Sequence, residues 1–390
     1  MLPNEITVEM LNALIGVSEG PGLDFKESLP LLARDDKKEF AADVVAFANA
    51  DGGEILIGVT ERRPDGERLG VASAITGVRC QPDATILSLE SVIRDGIVPR
   101  LAGVRVSAVP VGEETYVFVV RIPRSWNGPH MVAYGDSRFF VRGNRGKYPL
   151  DHAQIRAAFA ASATRVEWLR SFRDERIGRV ISRTTPVPLR AMPTFLTHVV
   201  PTEALAPAHT MDPRLFEQMK SRLAEPQRMS TPQTRYNLDG FCISQGDGEA
   251  RGYVQCFRNG LIEFADCYYL PMNAAGFETS VFTGRFESAV VRQVAASLDA
   301  MHVLQLTAPF YVFVSVIGVK GWMLDWWDDT QGMFFRFDRD VLTLPDVAID
   351  DVDEEFVVNL KPVFDAYWQS AGASHSRSFK DGVWLGGRDD

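Results

Sequence analysis

Four side chains near the start of the chain are of the types that phosphodiester chemistry uses: Glu19, Asp24, Lys26 and Glu61. In Glu19-Gly-Pro-Gly-Leu-Asp24-Phe-Lys26, a strand places Asp24 and Lys26 on one face, two residues apart, so a carboxylate and an ammonium point at one spot. Carboxylates in such a place hold a divalent metal, while a lysine offsets the charge that builds on phosphorus. A third acid is needed, and Glu61, at the exit of the apolar strand 54–59, is the best placed. Oxygen donors of this kind suit magnesium or manganese rather than zinc. The geometric requirement is that the Glu19, Asp24 and Glu61 carboxylates converge within about 5 Å, close enough to share one metal. An arbitrary Asp-x-Lys is more often a surface ion pair.

The elements that must position these groups are legible from periodicity. Residues 35–49 carry Phe40, Val44 and Phe47 at helical spacing behind two aspartates, which suit a helix N-terminus. Gly52-Gly53 then supplies residues able to take positive φ, and a short apolar strand runs to Gly58. Residues 84–95 have helical spacing, and 104–109 with 116–122 form a hairpin across a Gly-Glu-Glu turn. Phe139-Phe140-Val141 reads as one more strand, followed by a cationic loop, Arg142-Gly-Asn-Arg145-Gly-Lys147. Asp151 caps a helix to about Ala161, and 164–182 reads as a long arginine-rich amphipathic helix on which Arg176, Arg179 and Arg183 share a face.

The chain has 390 residues, 46% of them hydrophobic, enough for two or three units. Its net charge of -10 opposes generic coating of nucleic acid. The charge is unevenly distributed, however: residues 121–190 hold 14 Lys/Arg against 5 Asp/Glu, a net of +9. A basic middle between acidic flanks is a place for a phosphate backbone to lie, with Arg138, Arg142, Arg145, Lys147, Arg176, Arg179 and Arg183 as its contacts. The alternative is a solvated helix surface. Four scattered cysteines without a CxxC pair fit a reducing cytoplasm, and no apolar run reaches the ~20 residues of a membrane span. P-loop, zincin, nucleophile-elbow and dinucleotide signatures are missing.

Glu19-x4-Asp24-Phe-Lys26-Glu27-Ser28, with the Ala46-Phe-Ala-Asn-Ala-Asp-Gly-Gly53 stretch and Glu54-Ile-Leu-Ile-Gly-Val59, resembles the Schlafen AlbA-like domain family. Ile97-Val-Pro99, Ser125 with Pro129-His130, and Phe139-Phe-Val-Arg-Gly143 add to the resemblance, which spans about residues 10–160. It implies a nucleic-acid-handling domain. Some members are metal-dependent endoribonucleases that cut transfer RNA, and their three acids fall here on Glu19, Asp24 and Glu61. Asp24 departs from the family's more frequent glutamate and is one methylene shorter. Many bacterial relatives carry the domain as a nucleic-acid- or nucleotide-binding module.

The reading is therefore an α+β chain: a Schlafen AlbA-like domain over 1–160, an arginine-rich helical connector over 161–190, and a second α+β domain over 191–390. The leading expectation is a magnesium- or manganese-dependent endoribonuclease acting on structured RNA such as tRNA, with Lys26 as electrostatic stabiliser. Family context suggests a role in antiphage defence. The alternative is a module that binds nucleic acid, or senses a nucleotide, without cutting. The acidic second domain is expected to serve a homo-oligomer or protein partner. Its Trp322, Trp326, Trp327, Phe334 and Phe335 are read as core more readily than as a base-stacking platform, and the acids of 350–355 as a helix N-terminus more readily than a metal site.

Overall fold

The structure is a computed structural model that describes residues 6–31, 33–62, 69–125, 128–135, 137–144, 146–205, 209–245, 248–267, 271–274, 277–306, 308–325, 335–349 and 356–386. Arg145, Trp326, Trp327, Phe334 and the 350–355 run lie outside these residues, as does the side chain of Phe335. The fold is α+β, in two compact units, 1–166 and 167–390.

In the first unit a short helix α1 (Val8–Asn12) precedes β1 (Leu23–Lys26), α2 (Arg34–Ala48), β2 (Gly53–Ile57), β3 (Val59–Glu61), β4 (Ala72–Ile75) and β5 (Val78–Arg79). Helix α3 (Pro82–Gly96) follows, then β6 (Ile97–Val98), β7 (Arg105–Gly112), β8 (Thr115–Ile122), β9 (Met131–Val132), β10 (Phe140–Gly143) and β11 (Gly146–Pro149). The main sheet runs β1-β2-β8-β5, with β7 also on β8. Its β1/β2 pair is parallel, because α2 carries the chain back between them.

Both faces of this sheet are covered. Ile55, Ile57, Phe118 and Val120 meet Phe40, Val44 and Phe47 of α2 and Leu89 and Ile93 of α3 on one side. The alternate residues Leu56, Val117 and Val119 pack with Leu11, Phe25 and Val109 on the other. This period-two division is why β2 reads as a continuous apolar run. Between α2 and β2, Gly52 takes φ +78, where a Cβ would stand 2.7 Å from the Arg124 nitrogen and the Ile122 oxygen. Only glycine fits both the conformation and the close approach.

Arg142 and Lys147, expected on an open cationic loop, instead pair across from each other in the antiparallel β10/β11 register, as do Gly143 and Gly146. Helix α4 runs without interruption over His152–Ile181, where two segments were expected. Asp151 opens it with a reciprocal cap, its Oδ1 accepting from the Gln154 amide while Gln154 Oε1 accepts from its own. The two units divide inside this helix, at 166/167, so that Leu169 and Ile177, assigned to a separate connector on sequence, are buried in cores of the second unit. Arg183 lies beyond the helix end, at φ +56, and so leaves the face it was expected to share with Arg179.

The second unit is built on an antiparallel sheet of β12 (Thr194–Pro201), β13 (Gln233–Tyr236), β14 (Gly240–Ser244), β15 (Gly252–Phe257) and β16 (Ile262–Asp266), with the strand Phe310–Ile317 beside β12. Strands β15 and β16 turn into each other around Asn259-Gly260, and a long helix, Thr283–Val303, follows. Phe286, Val290, Val294 and Leu298 of that helix enter the core, and Trp322 packs partly buried against it. Among the described residues no helix is long and apolar enough to cross a membrane.

Candidate functional site

Strand β1 presents Asp24 and Lys26 on one face, and the chain around them supplies partners for both. Asp24, only 6% exposed, accepts a hydrogen bond from Arg142 Nη2 on Oδ1 at 2.9 Å, and its Oδ2 stands in an ion pair 2.8 Å from Lys26 Nζ. Lys26 Nζ is also 3.0 Å from Asp43 Oδ2 on α2, and Asp43 Oδ1 accepts from Lys147 Nζ at 2.8 Å. Lys147 also reaches Glu39 at 2.7 Å. The result is an alternating line of charges, Arg142, Asp24, Lys26, Asp43, Lys147, Glu39, that ties β1, α2 and the β10/β11 hairpin together. Burial opposes the charge on Asp24, but Lys26 and Arg142 outweigh it and hold its carboxyl below the usual range. Burial also opposes the charge on Lys26, and Asp43 and Asp24 outweigh it, raising its pKa.

Arg142 is fixed on every side. Its Nε donates to the Gly20 carbonyl, its Nη2 also donates to that of Leu23, and its guanidinium lies 4.3 Å from the centre of the Phe47 ring.

Glu19 and Glu61 sit outside this balanced line, on either side of Gly70. The Glu19 carboxylate accepts from the Phe25 amide at 2.7 Å, and Glu61 Oε2 accepts from the Gly70 amide at 3.2 Å. Gly70 has φ +63, and a Cβ there would stand 3.1 Å from Glu19 Oε2. The Glu19 carboxyl is pushed up to about 7, first by burial, then by the charge of Asp24, with Glu61 adding to it and the Phe25 amide working against it. Asp24 and Glu61 thus both bear on Glu19.

They do not form a metal cage as arranged. Both Asp24 oxygens already face cations at under 3 Å, so a metal would have to displace Lys26 or Arg142. Among the described residues, no group of three or more His, Cys, Asp or Glu side chains is placed to hold a metal ion.

The expected phosphate contacts are scattered. Arg142 is buried on Asp24 and Lys147 is held by Asp43 and Glu39, as described above. Arg176 is 2% exposed and makes a two-pronged pair with Glu263, 2.7 Å on each arm. Glu263 also receives His198 Nε2 and the Tyr253 hydroxyl; burial opposes its charge, and Arg176 and His198 outweigh it and lower its pKa. These three cations are therefore engaged in packing rather than presented to a backbone. Arg179 pairs with Glu175 one turn earlier, while Arg138 and Arg183 are exposed.

His130 is fully buried between the Pro99 carbonyl and the Ser125 hydroxyl, and burial lowers its pKa. Asn49 joins two segments: its amide donates to the carbonyls of His130 and Phe140, and its Oδ1 accepts from the His130 amide. Two residues of the site escaped the sequence reading. Asp43 signals itself as an acid inside the apolar stripe of α2, whereas nothing local marks Gly70.

Residues 19–151 match the family model described as Schlafen, AlbA_2, and this stretch is an AlbA-like Schlafen domain. No curated protein matches the chain. Among solved structures, the DIP2311 protein of Corynebacterium diphtheriae is 17% identical, with 38% of this chain and 27% of that one covered and a TM-score of 0.25. The chain thus spans about a quarter of that protein's length. The N-terminal domain of an ATP-dependent DNA helicase RecG-related protein from Nitrosomonas europaea is 22% identical, covering 37% of this chain and 92% of that one, again with a TM-score of 0.25.

Proposed function

We propose that residues 19–151 are a nucleic-acid-binding module that holds its ligand without cutting it. The observation that carries the choice between binding and cleavage is the state of Asp24: both of its oxygens are taken by Lys26 and Arg142 in a buried ion-pair line. That line has a structural task, joining β1, α2 and the β10/β11 hairpin, and leaves neither Asp24 as a metal ligand nor Lys26 as an unengaged countercharge. The nucleic-acid ligand itself comes from the family match. Exposed arginines of this unit, among them Arg138 and Arg156, are the groups that would meet phosphates.

Cleavage of structured RNA such as tRNA with magnesium or manganese, and with it a role in antiphage defence, is the second reading. One observation favours it: burial first, and then the charges of Asp24 and Glu61, raise the Glu19 carboxyl to about 7, a perturbation of the kind found at reactive sites. Total tRNA incubated with the purified chain and either metal separates the two. Binding without cleavage is expected, and the strands remain intact. Cleavage that Glu19→Gln and Asp24→Asn abolish would overturn the binding reading in favour of the nuclease.

A further inference from the structure

The paired strands β10 and β11 have two unlike faces. Phe140, Arg142 and Lys147 turn to one of them: Phe140 packs against the core that contains α2, Arg142 lies over the Phe47 ring, and Lys147 holds Asp43. The pleat puts their alternates, Phe139, Val141, Tyr148 and Leu150, on the other face. The register agrees, with Val141 across from Tyr148 and the Leu150 amide donating to the Phe139 carbonyl. Helix α4 brings a further ring to this side, Phe159, which meets Phe139 at an interplanar angle of 79° with 5.9 Å between ring centres.

This outer face is apolar and open. Tyr148 is 44% exposed and Phe159 53%, and neither belongs to a core of the first unit. Gly143 is what lets the Tyr148 ring lie along the neighbouring strand, since a Cβ there would stand 3.2 Å from Tyr148 Cε1. Large apolar side chains gathered on one surface mark a place of binding rather than of packing.

Charge selects the occupant. Residues 137–163 hold five Lys/Arg and one Asp/Glu, Asp151, whose Oδ1 is spent on capping α4. Arg156 stands three residues before Phe159, hence on the same side of the helix, and is exposed without an ion-pair partner among the described residues. Open rings beside uncompensated positive charge suit a polyanion that also has flat apolar surfaces, which is a nucleic-acid strand with unpaired bases. Bases in a duplex are stacked on one another and turn no face to a side chain.

We propose that this outer face, with Tyr148 and Phe159 as its rings and Arg156 beside them, binds single-stranded nucleic acid by stacking on its unpaired bases. The inference rests on the nucleic-acid-binding reading of this unit and names the form of the ligand.

The test is fluorescence anisotropy of the full chain with three labelled RNA probes of equal length: a single strand free of self-pairing, that strand annealed to its complement, and an abasic strand. The single strand is expected to bind about tenfold or more tightly than either of the others. Tyr148→Ala and Phe159→Ala should each weaken the single strand about tenfold and leave the abasic strand within about twofold of the wild type. Tyr148→Phe, which keeps the ring, should bind as the wild type does. Equal affinity of the wild-type chain for all three probes overturns the stacking face and leaves the nucleic-acid reading standing, whereas no saturable binding of any probe overturns both. Alanine variants that bind the single strand unchanged, or that lose affinity equally for the single and abasic strands, overturn it as well. Self-association of the free chain that either alanine variant removes would give the face to a second copy and also overturn it.

Discussion

At the scale of residues, Asp24 and Glu19 respond to protons in opposite ways, and that difference is measurable. Asp24 has a folded pKa below its ordinary value, so the stability it contributes is present above that value and is lost on acidification through the folded one. Glu19 has a folded pKa of about 7, above its ordinary value, so the folded state holds the extra proton. Its contribution is complete below the ordinary carboxyl range and is lost as pH rises through about 7. Glu19→Gln should therefore flatten the fall in Tm across that window and raise Tm at pH 8; an unchanged Tm–pH profile would show that the carboxyl is not strained. Asp24→Asn should cost about 3–5 kcal/mol in denaturant unfolding, since it leaves buried Arg142 beside a neutral group and half-buried Lys26 with Asp43 alone. Loss below about 1 kcal/mol would place Asp24 outside any structural ion-pair line. The pairing of Asp24 with Lys26 on one strand face was legible from their two-residue spacing. Their joint capture by Arg142 and Asp43 was not, because both partners are distant in sequence and ion-pair choice depends on tertiary placement.

At the scale of elements, the sheet and helices that carry the site follow from local patterns: Phe40, Val44 and Phe47 define α2, and the alternation through β8 defines two covered faces. The pairing of Arg142 with Lys147 was missed because glycine spacing and positive charge suit an open loop as well as two paired strands. What decides is Arg142, whose guanidinium finds Asp24 and two carbonyls and so draws β10 against β1. Arg176 shows the same limit: its spacing on α4 fits a phosphate track, yet the helix turns that residue toward buried Glu263. Arg176→Met should accordingly destabilise the second unit by about 3–5 kcal/mol, by leaving Glu263 charged and short of its main partner. Glu263→Leu with Arg176→Met should recover much of this in a double-mutant cycle, and additive losses would argue against direct coupling. The cap on α4 is a smaller term: Asp151→Ala should cost about 1 kcal/mol by chemical denaturation.

At the scale of the whole molecule, net charge and charge placement oppose each other. The chain carries -10 overall, yet residues 121–190 carry +9, and several of those cations are spent internally on Asp24, Asp43 and Glu263. Fewer phosphates can then be neutralised than the sequence count implies, and the salt dependence of binding should be modest. The charged groups divide between the units as well: Glu19, Asp24 and Glu61 lie in one, the buried Arg176–Glu263 pair in the other. The central claim is that the chain binds nucleic acid, and its most direct test is fluorescence anisotropy of a labelled structured RNA titrated with the full chain across a salt series. The account predicts saturable binding at low salt, log affinity falling linearly with log salt, and a slope shallower by about 0.7–0.9 for Arg138→Gln. Absence of saturable binding at low salt would contradict it.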